Sequence, residues 1–175
     1  MIHDSCYMID GMVLTPHAIL GTAAALALRH HPVLAFFTAF LSHFASDAIP
    51  HWHYPLASLE RKRNPLENRV VLGTGILRDG AVVFLDCALG SSISLALTAV
   101  LFPQYISIAI IGIMGGILPD FLQFIYYLSP QSPLKYLQRF HVWIHAEERL
   151  DNTHFFGIVF QGAFAALCIF FLTLL

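Results

Sequence analysis

Residues 32–54, PVLAFFTAFLSHFASDAIPHWHY, open as an apolar helix and close on His43, Asp47 and His51. Residues four apart stand one above the other on a helix, so His43 and Asp47 can grip one object from one face. An imidazole and a carboxylate at that spacing suit a borderline metal such as zinc. The segment around them is apolar enough to sit in lipid, where an ionisable group is costly and marks function. The stretch therefore predicts an all-α integral membrane protein with a polar site at one end of a helix.

Composition agrees. Hydrophobic residues make up 57% of the 175 and charged residues 11%, against about 45–50% and about 25% in soluble domains. Mean hydropathy is +0.69. The length fits a single membrane-embedded helical domain spanning residues 1–175. Net charge is −2, and no basic stripe points to nucleic acid. Ten histidines against nine lysines and arginines are a second sign of metal chemistry. Cys6, Cys87 and Cys168 have no paired spacing, so neither a disulfide nor a thiolate cluster is expected. The N-terminus, MIHDSCYMIDGM, lacks the basic start and apolar run of a cleavable signal peptide, so insertion is expected to rest on internal segments.

Five apolar spans are expected, at about 16–29, 32–49, 80–101, 104–128 and 154–175. The first opens with Thr15-Pro16, an N-cap followed by proline, and is short for a crossing helix. Gly112, Gly115 and Gly116 in the fourth, and Gly21, Ala24 and Ala25 in the first, allow close helix approach. Accommodation of neighbouring bulk explains them better than a dedicated dimer motif. The fifteen phenylalanines face lipid or pack between helices. If all five spans cross, Arg61, Lys62, Arg63, Arg69, Arg78, Lys135, Arg139 and Arg149 share one side and Arg29 stands alone on the other. The positive-inside bias then places the N-terminus and the basic loops in the cytoplasm, across a prokaryotic cytoplasmic membrane. The Arg61-Lys62-Arg63 run reads as a topology signal or an attractor of anionic lipid head groups.

On that topology the polar residues gather in one layer. His17 starts the first helix, His43 and Asp47 end the second, and Asp79 and Asp86 open the third. Asp120 lies near the end of the fourth, and His154 begins the fifth. At 1.5 Å per residue, His43, Asp86 and Asp120 are roughly 9–12 Å below one membrane face. In RFHVWIHAEERLDNTH, residues 139–154, His141, His145 and Glu148 form a further stripe on an interfacial amphipathic helix. Trp143 and Tyr136 suit that position. Several residues also admit plainer roles. His17 could be a helix-start polar group, and His43 with Asp47 a structural pair. Asp86 could pair with Arg78 or cap a neighbouring helix, and Asp79 could be solvated or capping. His51 and His53 fit an interfacial turn nearly as well as the site, and His3, His30 and His31 read as surface residues.

Pro16-His17 through Gly21, Leu118-Pro119-Asp120, and Thr153-His154 entering an apolar helix resemble the membrane-bound metal-dependent hydrolases of the YdjM type. Those proteins carry an early His, an LPD-x-D-H motif and a late H-R-x-x-T-H-S motif. Here Phe121-Leu122-Gln123 follow Asp120, so that second Asp and the His are absent, and Arg149 is the nearest basic residue before Thr153. His43-x-x-x-Asp47 is similar to the ligand spacing of zinc-dependent phospholipases C, without their His-x-x-x-Glu partner. The resemblance matches His17, His43, Asp47, Asp120 and His154.

The leading expectation is a membrane hydrolase acting on an ester or phosphodiester at the cytoplasmic face, with a lipid or lipid-linked ester as substrate. Its divalent metal, zinc, would be held by His17, His43, Asp47, Asp120 and His141 or His145, with His154 a ligand or a support for one. Glu148 is the candidate general base, and Asp86 is a second carboxylate assigned to catalysis. The rivals are a metal-ion or proton transport protein and a structural membrane protein whose polar cluster fixes helix packing. A transport path should continue across the bilayer, whereas residues 88–112 of the third and fourth spans offer only Ser91, Ser92, Ser94, Thr98, Gln104 and Ser107.

Overall fold

A computed structural model of the chain describes residues 13–130, 133–146 and 154–174. The described residues form six α-helices: α1 Leu14–Ala27, α2 Pro32–Asp47, α3 Gly75–Leu101, α4 Ile106–Leu128, α5 Lys135–Ile144 and α6 His154–Thr173. A small hairpin, β1 Leu59–Glu60 paired antiparallel with β2 Arg69–Val70, lies between α2 and α3. Three helical segments are long and apolar enough to cross a membrane: Gly75–Leu101, Pro103–Leu128 and Phe156–Thr173. At 14 and 16 residues, α1 and α2 reach about 21 and 24 Å, short of a bilayer core of about 30 Å.

Packing explains how so short a helix as α1 is accommodated. It touches α2, α3, α4 and α6 and is the hub of the bundle. Its side chains Ala18, Ile19, Ala25 and Leu26 are buried, so little of its backbone has to face lipid. Its start also departs from the sequence expectation. The helix begins at Leu14, with Val13 as the preceding residue and Pro16 already inside. The amides of Leu14 and Thr15 are satisfied from α3, where the Asp86 carboxylate accepts both. Thr15 Oγ1 in turn donates to the Asp86 carbonyl at 2.8 Å. First-turn N–H groups have no partner within their own helix, and here a distant carboxylate moves the boundary.

Glycines set the spacing between α1, α2 and α4. A Cβ on Gly116 would strike the His17 carbonyl oxygen, and one on Gly112 would lie 2.7 Å from the Gly21 carbonyl oxygen. Gly115 turns to α2, where a Cβ would come within 2.8 Å of Ala39 Cβ. Two faces of α4 thus let α1 and α2 approach to backbone contact, the close packing small residues permit in lipid. The apolar core of Ala25, Leu26, Ala35, Ala39, Ile108 and Leu172 lies toward the end of the bundle away from His17. The large exposed side chains, such as Leu77, Phe84 and Val100 on α3 and Phe156, Phe170 and Phe171 on α6, are apolar.

Gly116→Ala is expected to destabilise the protein by about 1–3 kcal/mol, because backbone cannot yield to an added methyl. Gly80→Ala, where nothing lies within 4 Å of the added carbon, should stabilise it by about 0.5–1 kcal/mol. Unfolding in detergent, followed by helical circular dichroism, separates the two.

Candidate metal centre

The C-terminal ends of α2 and α5 are joined by a hydrogen bond from Ala146 N to the Asp47 carbonyl at 2.9 Å. Gln138 of α5 also donates to the Tyr127 hydroxyl of α4 at 3.3 Å. These ties bring His141 beside the face of α2 that carries His43 and Asp47, while the glycine seam brings His17 from α1. The rings of His17 and His43 stack with centroids 4.1 Å apart.

Three helices meet at one carboxylate, and a fourth sets a second carboxylate beside the same imidazoles. Asp47 Oδ2 has His141 Nε2 at 2.8 Å and His43 Nε2 at 3.0 Å, and Oδ1 has His17 Nε2 at 3.3 Å. Asp120 Oδ1, from α4, lies 3.5 Å from His43 Nε2 and 3.9 Å from His141 Nε2. His43 and His141 Nε2 atoms are 3.4 Å apart. All five side chains are buried.

The outer hydrogen bonds determine what the inner nitrogens can do. His43 Nδ1 is 2.8 Å from the Gly116 carbonyl oxygen, which only accepts, so Nδ1 carries the proton. Ser46 donates its hydroxyl hydrogen to the His43 carbonyl at 2.7 Å. Its oxygen can then only accept from His17 Nδ1, 3.0 Å away. In their neutral forms both rings therefore turn bare Nε2 lone pairs toward carboxylate oxygens. Lone pairs so placed repel unless a cation or proton lies between them. Backbone carbonyls and hydroxyls that hold the outer N–H are the usual support of metal-ligating histidines.

The residues fit a metal. Zinc bonds of about 2.0–2.2 Å in tetrahedral arrangement put ligand atoms about 3.3–3.6 Å apart, within the 2.8–3.9 Å spread of these contacts. Two ionised carboxylates would be neutralised by one divalent ion, whereas unpaired buried charge is strongly disfavoured. Asp120 Oδ2 and the Tyr54 hydroxyl are buried with no hydrogen-bond partner among the described residues.

The structure thus brings together His17, His43, Asp47, Asp120 and His141, in overlapping groups whose donor atoms lie within 4.8 Å of one another. His145 belongs elsewhere. The helix ends at Ile144 and His145 is extended, with φ −63° and ψ 133°; its ring still stacks on that of His141 with centroids 6.3 Å apart, but its donor atom points to another group. His145 instead joins His51 and His53, two residues that the sequence left open. His-x-His in extended chain was the available signal, since alternate side chains there share a side; the two rings are 4.3 Å apart. Burial, with the facing His53 ring, pushes His51 down to about 4. Burial pushes His145 down to about 3. Asp86 caps α1 and is not among the grouped donors, and Asp79 accepts from Ser58 N at 2.6 Å. Glu148 lies outside the described residues, as does the side chain of His154 at the start of α6.

No family model matches the chain, and no curated protein or solved structure matches it.

Ser46→Ala should weaken zinc binding about 10–100-fold, the usual effect of losing a group that orients a ligand, measured by competition with a chromophoric chelator. Asp86→Ala should cost about 0.5–2 kcal/mol of stability as a lost cap while leaving zinc affinity within about twofold.

Proposed function

We propose that the chain is a membrane-embedded, metal-dependent hydrolase of lipid esters or phosphodiesters. Its divalent ion, zinc, draws its ligands from His17, His43, Asp47, Asp120 and His141, with one position left to water. One observation carries this reading: Nε2 atoms from three helices meet Asp47 at 2.8–3.3 Å, and Asp120 from a fourth helix reaches two of the same imidazoles at 3.5 and 3.9 Å. The sequence resemblance to membrane-bound metal-dependent hydrolases, borne by His17, Leu118-Pro119-Asp120 and His154, points the same way.

A divalent ion bound there makes a coordinated water acidic and polarises a carbonyl or phosphoryl oxygen. The chain's own groups do the rest. Gly116 and Ser46 hold the His43 and His17 rings in orientation. Asp120 Oδ2, buried without a donor, is the described oxygen best suited to take a proton from an attacking water. Glu148 keeps the same candidate role among the residues not described.

Substrate class is supported by a cavity of about 620 Å³ lined by Val83, Phe84, Met114, Ile117, Phe124 and Asp120. Its walls are apolar side chains of α3 and α4, and it includes Asp120, so an acyl tail can lie there with its ester at the site. Such a volume is in the range of pockets that bury a small ligand. A transport path is less well supported. Along α1 and α3 beyond the site, the hydroxyls of Thr22 and Thr98 bond to their own helix carbonyls four residues back. Eight of the nine basic residues lie between α2 and the first turn of α3 or between α4 and α6, on the side of the site, and the positive-inside bias favours that side as cytoplasmic.

Purified protein is expected to hold zinc in stoichiometric amount and to release fatty acid from a fluorogenic lipid ester, or an alcohol and a phosphomonoester from a fluorogenic phosphodiester. His43→Ala combined with Asp47→Ala should lower turnover at least 100-fold and abolish binding at this site. A metal-free wild-type protein after purification and zinc reconstitution would overturn the proposal, and metal binding without turnover would move weight to transport.

A further inference from the structure

Beside the Asp47 cluster lies a second group of donors that the hydrolase reading does not use. His51, His53 and His145 place one nitrogen each within 4.8 Å of the others, with no carboxylate among them. His53 and His145 Nε2 atoms are 3.3 Å apart. Ring centroids lie 5.0 Å apart for His51 and His145, and 5.1 Å for His53 and His145. The outer hydrogen bonds repeat the logic of the first cluster. His51 Nδ1 donates to the Ile49 carbonyl at 2.8 Å, and His145 Nδ1 faces the Ala146 carbonyl at 3.4 Å. Both rings, when neutral, keep Nε2 bare.

The local chain is shaped for this convergence. Pro50 follows the end of α2, and the segment after it is extended. Gln161 of α6 donates to the Trp52 carbonyl at 2.7 Å and holds the segment between the two histidines. His145 leaves the α5 helix in an extended conformation just where it meets them. Three imidazoles are the protein donor set of a catalytic zinc site such as the three-histidine kind, in which the fourth position goes to water or substrate. Asp47 links the two groups, since it also falls with His17 and His51 in one set of close donors.

We infer that His51, His53 and His145 form a second divalent-cation site, so that the centre holds two transition-metal ions with Asp47 between them. The inference rests on the Asp47-centred reading and extends it. Two ions side by side can stabilise both the attacking and the leaving oxygen of a displacement, which favours a phosphodiester over a carboxylic ester as substrate. Imidazole-only coordination suits zinc, copper or nickel over magnesium or calcium.

The test is equilibrium dialysis of the metal-stripped full chain in nanodiscs against zinc, with bound metal counted by mass spectrometry. Wild-type protein should bind two ions. His51→Ala combined with His53→Ala should bind one, and His145→Ala alone, outside the helices, should also bind one. His43→Ala combined with Asp47→Ala should bind no more than one. Cobalt in place of zinc should give visible bands that lose one component in the His145→Ala protein and keep the other. One ion in the wild type, unchanged by loss of His51, His53 or His145, would overturn the second site and leave the first standing. One ion that disappears with those histidines and survives His43→Ala with Asp47→Ala would overturn both the two-ion inference and the Asp47-centred reading. No ion in any protein would overturn both as well.

Discussion

A buried carboxylate is the constraint around which the rest is arranged. Asp47 sits at the end of α2 with almost no water, and its two oxygens are met by imidazole nitrogens from α1, α2 and α5. A negative charge so placed is tolerated only if positive charge or hydrogen-bond donors reach it. Because His43 and His17 spend their Nδ1 protons on Gly116 and Ser46, only His141 can donate to Asp47 from a neutral ring, at 2.8 Å, and further compensation comes from protonated rings or a bound cation. Either way Asp47 dictates where α1, α4 and α5 must stand.

The glycine seam is the counterpart of that demand. His17 reaches Asp47 because Gly21, Gly112 and Gly116 let α1 and α4 touch backbone to backbone. The same Gly116 supplies the carbonyl that orients His43. One residue thus fixes helix spacing through its missing side chain and ring tautomer through its oxygen. Pro119 contributes nearby, since its lack of an N–H loosens the backbone ladder just before Asp120 enters the site. Structural glycine and polar site are one construction.

Much of this was legible in the residues. The spacing of His43 and Asp47 placed them on one face because helical periodicity is local, and the apolar runs announced α3, α4 and α6 by length alone. Other features were not. His145 looked like the continuation of a His141 stripe, yet α5 stops at Ile144 and the extended chain sends it to His51 and His53. Asp86 was open between the polar layer, a pairing with Arg78 and a cap on a neighbouring helix, and its carboxylate takes the first amides of α1. Each of these turns on a partner more than sixty residues away, or on a helix end of a residue or two, neither of which periodicity encodes.

The residues by themselves determined an apolar helical bundle, the location of its ionisable groups near one end, and the pairing of His43 with Asp47. These follow from hydropathy and from the 3.6-residue repeat, which operate over one or two turns. Only the tertiary structure decided that the short α1 is the enclosed hub of the bundle, because enclosure depends on what packs around a helix. It alone separated the histidines into one group on Asp47 and another of His51, His53 and His145. Metal-ligand geometry is a matter of a few tenths of an ångström among side chains from distant segments, and only the folded backbone sets distances on that scale.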